Sequence, residues 1–382
     1  MIRGLRVHVA GSAATDCEGE LLGAAHEFLR AFGAEIVGRG GGLVLGAGGE
    51  PRGESGQPCI FDWTVLEIVG GLADPAPDWP TARAQRFAVV ASQRGLEKIP
   101  EWRAELWEKC RSRSDFKLET TPAGWRMAGL IRDRQVLRGD ILLALGGGAG
   151  TEHLAQLYRE EGKPVIPIHA ELGAITNDGR GGSQYLFEWA LADIGSFFRL
   201  RDDAGDAAGR LSGLRLAADT DVLALAAETA NLIGDLQPPR AFYVRLLATG
   251  HALFVEVEDF FRQVVDPVIV ERGFSRREMG VDKPEAAFMN VEIFQTLHRA
   301  SLVVADLTGV RPNCMMELGY ALGRGRRVVV SAKDGTELPF DEDKLPTYMW
   351  TSTEPLDERI ATYRDWLERN MDLPPLVEPT GP

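Results

Sequence analysis

Cysteine is scarce in this chain, with four among 382 residues. Cys17, Cys59, Cys110 and Cys314 lie far apart, and no pair has the spacing of a zinc site or a redox dithiol. A disulfide scaffold is thereby excluded, and reduced thiols in a cytoplasmic protein are expected. No uninterrupted apolar stretch is long enough to span a bilayer, which excludes a membrane-spanning chain. The opening residues run directly into a strand-like pattern, without the longer apolar segment of a secretory signal. Basic residues are in deficit: 42 Lys and Arg against 56 Asp and Glu leave a net charge of −14, which repels a polyanion such as long nucleic acid. Internal repeats and low-complexity tracts are missing too, excluding a solenoid and a disordered arm.

What is present is ample apolar content and much glycine. The 45% hydrophobic share is enough for two cores in a chain longer than one core usually organises. Apolar strands are predicted over 6–10, 35–37, 43–45, 87–91, 141–145 and 165–168. Helices alternate with them: one from about Thr15, with Thr15 and Glu18 in capping-box spacing and Gly33 as its stop, then 101–110, 126–137 and 153–161. Strands that are apolar throughout belong in a parallel sheet covered on both faces. Residues 201–213 read as a surface loop, 222–236 as a closing helix, and Gln237-Pro238-Pro239-Arg240 as a domain boundary. Strands over 242–247, 301–305 and 327–331 follow, with helices over 252–272, 313–322 and 356–370. Pro267 should kink or break the helical stretch that contains it. The predicted fold is α/β, two doubly wound, Rossmann-like parallel-sheet domains over 1–237 and 238–382, the second smaller.

Glycine clusters follow three strands of the first domain: Gly11-Ser12-Ala13, Gly46-Ala47-Gly48-Gly49 and Gly146-Gly147-Gly148-Ala149-Gly150-Thr151. Glycine lets backbone amides approach phosphate oxygens, and a following helix N-terminus adds partial positive charge. One such cluster is most simply a tight turn. Three at equivalent positions favour phosphate or ribose binding, because the carboxyl ends of parallel strands share one crevice. Candidate ligand-binding residues are therefore Gly11, Ser12, Gly46, Gly48, Gly147, Gly148, Gly150 and Thr151. Arg132, Arg134 and Arg138 are candidate phosphate counter-charges, with a solvated helix face as the alternative.

The stretch RDRQVLRGDILLALGGGAGTEHLAQLYREEGKPVIPI, with VHVAGSA and GGGLVLGAGG before it, resembles the SLOG superfamily, which includes the cytokinin-activating LOG phosphoribohydrolases and the DprA proteins. In LOG enzymes an upstream arginine and a glutamate three places after the Gly-Thr threonine carry the hydrolysis. That glutamate position falls on Leu154 here, while Glu152 sits two residues away and points elsewhere. The resemblance thus implies a nucleotide-binding or sensing domain without phosphoribohydrolase activity.

The second domain carries ASLVVADLTGVRPNCMMELGYALGRGRRVVVSAKDG. It places Asp306 at the end of a strand and Glu317 one turn inside the next helix, so both carboxylates can face the crevice at the sheet edge. A glutamate there can simply complement the helix dipole. Its apolar neighbours Met315, Met316, Leu318 and Ala321 favour a partly buried, functional carboxylate instead. The run Ala305-Asp306-Leu307-Thr308-Gly309, Pro312-Asn313 and Glu317-Leu318-Gly319-Tyr320-Ala321 resembles the nucleoside 2-deoxyribosyltransferase and TIR-like superfamily. FFRQVVDPVIVERGF and PFDEDKLPTYMW extend the likeness. It implies Glu317 as nucleophile or oxocarbenium stabiliser, with Asp306 and Asn313 holding ribose hydroxyls.

Nicotinamide leaves NAD as a neutral base, whereas a purine or pyrimidine leaving group needs a proton, and no histidine stands in the motif. His298, just before the strand, reads as structural. The expectation is therefore a nucleotide-sensing effector that cleaves NAD to nicotinamide and ADP-ribose, an arrangement similar to bacterial anti-phage defence systems. No cofactor and no metal is expected, NAD being substrate. The expected partners are a small nucleotide signal, the nucleotide substrate and further copies of the chain. Two other readings stay open: a constitutive nucleoside or nucleotide N-ribohydrolase or deoxyribosyltransferase, and a non-catalytic nucleotide-binding scaffold.

Overall fold

A computed structural model describes residues 2–73, 85–122, 128–173, 182–277, 289–298, 300–338 and 345–371. The chain divides into two compact units between Gln237 and Pro238. The first holds β1 (Arg6–Ala10), β2 (Gly42–Leu45), β3 (Phe87–Ser92), β4 (Phe116–Thr121), β5 (Ile141–Leu145) and β6 (Val165–Ile168). They form one sheet in the order β4-β3-β2-β1-β5-β6, with every pairing parallel. The interior strand β5, Ile-Leu-Leu-Ala-Leu, is buried at every position, as a strand covered on both faces must be.

Helix Gly19–Gly38 shows where local signals mislead. It begins after the Thr15–Glu18 segment, no side chain caps it, and it runs through Gly33 and the predicted strand at 35–37. The carbonyl of Thr15 accepts the amide of Glu54, so that segment is tied to a neighbouring loop rather than wound into the helix. Gly33 is a packing glycine. A Cβ there would stand 2.5 Å from Ile68 Cδ1, so its absence lets the helix approach helix Asp62–Gly71. The helix after β5 starts at Ala149, directly off the glycine loop and earlier than periodicity suggested. Within 201–213, read as a loop, Asp206 caps a short helix, Ala207–Ser212.

The second unit holds β7 (Arg240–Val244), β8 (Ser275–Arg277), β9 (Leu302–Asp306), β10 (Val328–Lys333) and β11 (Thr347–Trp350). Their order is β11-β10-β9-β7-β8, again parallel throughout, so both sheets are doubly wound and the second is smaller. Pro267 stands in the first turn of a second α-helix, so the stretch is divided as expected, though the helical path continues through it. The chain passes from α-helix Phe254–Phe260 through a π-helical turn, Phe261–Val265, into α-helix Asp266–Glu271, so the wider turn absorbs the missing N–H. Among the described residues no helix is long and apolar enough to cross a membrane.

One consequence concerns pH. His8 of β1 lies buried against the Tyr158 hydroxyl (Nδ1 to O, 3.0 Å), and burial first, then Lys163, pushes its pKa down to about 3. Burial also lowers His26 and His169. A histidine depressed in the folded state takes up its proton on unfolding, so the stabilisation is complete above its ordinary value and is lost as pH falls from there. Thermal unfolding followed by circular dichroism should show the first unit losing stability as pH drops from about 6.5 toward 4. H8N should flatten that dependence; a wild-type Tm that stays constant over the range would contradict the assignment.

Candidate functional site

In the first unit the strand order reverses between β1 and β5, which leaves a crevice at the carboxyl edge where the two following loops part. The loops touch beneath it. Gly11 has φ 138°, and a Cβ on it would lie 1.8 Å from the Leu145 carbonyl oxygen. Gly147 donates its N–H to the Ser12 carbonyl (2.6 Å), and Gly146 donates to Ser183 Oγ (2.7 Å). The Gly146 and Gly147 amides are thus spent inside the protein, building the loop rather than facing a ligand. Gly148 stands at the N-cap of helix Ala149–Glu160, which no side chain caps, so the positive end of that helix opens at the crevice. Thr151 folds over Gly147, its Oγ1 lying 1.9 Å from the point a Cβ there would occupy.

Arg132 reaches this helix start. Its Nη2 is 3.0 Å from the Cβ point of Gly150, and its Nη1 is 3.1 Å from His153 Nδ1. A bulkier residue than glycine at 150 would displace the guanidinium. Arg134 goes elsewhere: with Arg138 it faces Glu119 of β4, at 3.7 Å and 2.7 Å. Of the three candidate counter-charges, Arg132 stands at the glycine loop, and Arg134 and Arg138 pair with Glu119. Leu154, at the glutamate position of LOG enzymes, is buried in the core.

The loop after β2 is held from below by a residue that sequence reasoning missed. Asp62 Oδ1 accepts the Gly46 amide (2.7 Å), and Trp63 donates its indole N–H to the Gly48 carbonyl (3.1 Å). Burial raises the Asp62 carboxyl to about 6 although the Gly46 amide opposes the shift. The signal for it was the helical spacing of Trp63, Leu66 and Val69.

In the second unit the order reverses between β7 and β9, so the crevice lies beside the loop that follows Asp306. Asp306 is 0% exposed. Its Oδ2 accepts the Trp350 indole N–H and the Ser331 hydroxyl, both at 2.8 Å, and its Oδ1 accepts the Thr308 amide at 3.1 Å. Burial raises its pKa against all those hydrogen bonds. This differs from the ribose contact expected of Asp306. A carboxylate enclosed in this way ties β9 to β10 and β11 and sets the following loop.

That loop is strained. Gly309 and Val310 both have positive φ, 77° and 45°, and for a β-branched valine this is an unusual conformation. Glu317, in helix Pro312–Gly323, is half-buried, and burial pushes its carboxyl up to about 7. The Cys314 thiol is raised to about 12, first by burial and then by the charges of Glu317 and Asp306. Asn313 stands exposed in the first turn of the same helix. His251, from the loop after β7, is the residue that spacing within the motif did not reveal. Its Cε1 and Nε2 lie 3.2 and 3.3 Å from the Cβ point of Gly309. Its Nδ1 accepts the Leu253 amide (3.2 Å), which leaves the proton of the neutral ring on Nε2, the nitrogen against the Gly309 loop.

Comparison with known proteins bears on the first unit. Two curated relatives, both ATP nucleosidase Cap17, one from Escherichia coli (strain KTE188) and one from Escherichia coli, are each 31% identical over 177 residues. Those residues make up 46% of this chain and 34% of each relative, so the match spans about a third of their length. A family model described as ATP nucleosidase Cap17-like, N-terminal, matches residues 2–232, more than half of the chain and nearly all of the unit that carries the glycine crevice. On that match this chain belongs to the Cap17-like family of ATP nucleosidase N-terminal domains.

Proposed function

We propose that this protein is an effector that cleaves the N-glycosidic bond of a nucleotide, with a nucleotide held in the first unit and the bond broken in the second. The observation that carries the reading is Glu317, a half-buried carboxyl pushed up to about 7 beside the β9 loop. A carboxylate in such a place stabilises the positive charge that grows on the sugar as the base leaves. The electrons of the C1′–N bond go to the base, whose nitrogen accepts a hydrogen bond from the neutral His251 Nε2–H as it leaves. Water then attacks C1′ on the oxocarbenium ion, and the proton it releases goes to the departed base. In this reading Asn313, exposed in the first turn of its helix, holds a ribose hydroxyl, and Asp306 sets the loop that follows β9.

His251 changes the substrate argument. The motif alone holds no donor for a departing base, and His251, against the Gly309 loop, is a hydrogen-bond donor from outside it. A purine nucleotide, ATP in the relatives' printed name, is therefore the first reading, and NAD is the second, since nicotinamide needs no protonation. The pairing of a nucleotide-holding unit with a bond-cleaving unit supports a role in anti-phage defence, with a signal nucleotide that binds the active state more tightly than the inactive one. The SLOG and TIR-like resemblances support the same division of labour.

A rival placement of the chemistry rests on Asp62, a half-buried carboxyl raised to about 6 in the unit that the family match covers. Base release from ATP, NAD and adenosine by the full chain, with candidate signal nucleotides added, separates the two. E317Q should abolish release while D62N keeps most of it. The reverse pattern moves the active site to the first unit, and release from nothing in the panel leaves only a nucleotide-binding protein.

A further inference from the structure

Beyond the glycine loop after β2 lies a cavity of about 620 Å³ whose walls include Gly49, Glu50, Ile60, Lys98, Pro100 and Trp102. Neither the glycine clusters nor the family match assigns it a role. Trp102 is 66% exposed, an uncommon degree for the largest apolar side chain. Its edge is nevertheless fixed: the indole N–H donates to Glu50 Oε2 at 2.8 Å. Glu50 is itself buried, at 8% exposure, and its other oxygen accepts two hydrogen bonds from Arg103, which also pairs with Glu67. The ring is therefore held by a buried charged network, with its polar edge satisfied and an apolar π-face toward solvent.

This cavity also adjoins the predicted phosphate loops. The Cβ point of Gly49 lies 3.7 Å from Lys98 Cβ, so the loop packs on the segment that carries the lysine. Ile60, also in its lining, forms an antiparallel bridge with Ser12 of the loop after β1. An occupant of this cavity has a flat apolar face against Trp102 and an anionic part near the glycine loops and Lys98. A nucleobase joined to a phosphorylated ribose has that shape and charge, and base stacking on an exposed, immobilised indole is sequence-tolerant and strong.

We propose that Trp102 is the base-stacking platform of the first unit's nucleotide site, with the sugar and phosphates running from the cavity toward the Gly46–Gly49 loop. The proposal rests on the nucleotide-binding reading above and adds where the base goes. Titration calorimetry of the full chain carrying E317Q, which leaves ATP intact, with ATP and with ribose 5-phosphate tests both, the first-unit site being the component of the isotherm that Trp102 substitutions move. W102A should weaken ATP binding about tenfold or more, by analogy with stacked bases elsewhere. W102F, which keeps a ring but loses the hydrogen bond to Glu50, should bind ATP within about threefold of the E317Q chain. Ribose 5-phosphate, which has no base, should bind all three proteins alike. ATP should quench indole fluorescence in the E317Q chain, and W102F should lose that component, a readout that does not depend on W102A folding well. Failure of the E317Q chain to bind ATP removes the nucleotide reading together with the subsite. ATP binding that W102A leaves unchanged, or that W102F loses as fully as W102A, removes the stacking platform and leaves the rest standing.

Discussion

Replacing Glu317 by glutamine is expected to lower base release by about a hundredfold or more, the loss typical of removing one electrostatic group that meets developing charge. Glutamine keeps the shape and half-buried setting of the side chain and removes only the negative charge. The loss should therefore appear in kcat, with nucleotide binding to the first unit unchanged. A second consequence distinguishes a charge effect from a packing effect. The free carboxyl is raised to about 7, and its ionised form is the active one, so kcat/KM of the wild type should rise with pH through that value.

Stability should move the other way. A carboxyl raised in the folded state is penalised when ionised, so its contribution is intact below the ordinary glutamate value and is lost as pH rises toward 7. E317Q should then raise Tm relative to wild type at pH 8 and leave it nearly unchanged at pH 4. Calorimetric scans of both proteins at the two pH values check this. A variant that keeps wild-type turnover sinks the catalytic role, and equal Tm shifts at both pH values sink the buried-carboxyl account.

The second large effect concerns Gly11. Alanine there combines a backbone angle, φ 138°, that side chains rarely adopt with a methyl placed 1.8 Å from the Leu145 carbonyl oxygen. Neither side can yield cheaply, because Leu145 ends a strand that is buried at every position and paired on both edges. The cost should exceed about 4 kcal/mol, the range reserved for strain and overpacking in a core, and soluble first-unit structure should be lost. Gly56 supplies the control. It also has positive φ, 76°, but nothing lies within 4 Å of its Cβ point, so G56A should cost only about 1–2 kcal/mol. Denaturant titration of the two variants measures the gap; a G11A protein as stable as G56A would mean that β1 and β5 do not approach so closely.

How far the sequence could be read depended on whether its signals were local. β5 and β6 stand where their apolar runs placed them, and helix Leu356–Asn370 matches its predicted bounds, because burial on both faces and amphipathic spacing are written into neighbouring residues. β4, Phe-Lys-Leu-Glu-Thr-Thr, went unseen because an edge strand alternates and carries charge. Gly33 read as a stop because nothing in its own helix shows that Ile68 needs its space. Arg132 and Arg134 look alike in sequence, and only the placement of Glu119 and of the helix start at Gly150 separates them.

The chain by itself determined the α/β class, the parallel strands, the glycine loops at their carboxyl ends and the pairing of Asp306 with Glu317 in one motif. These follow from periodicity and from the conformations that only glycine tolerates, both properties of short stretches. Tertiary structure decided which loop amides are consumed internally, that Asp306 is enclosed by Trp350 and Ser331, that His251 reaches the Gly309 loop, and that Glu50 locks Trp102 at the rim of a cavity. Each of these is a meeting of residues distant along the chain. Their chemistry is set by burial and by partners that no local pattern encodes.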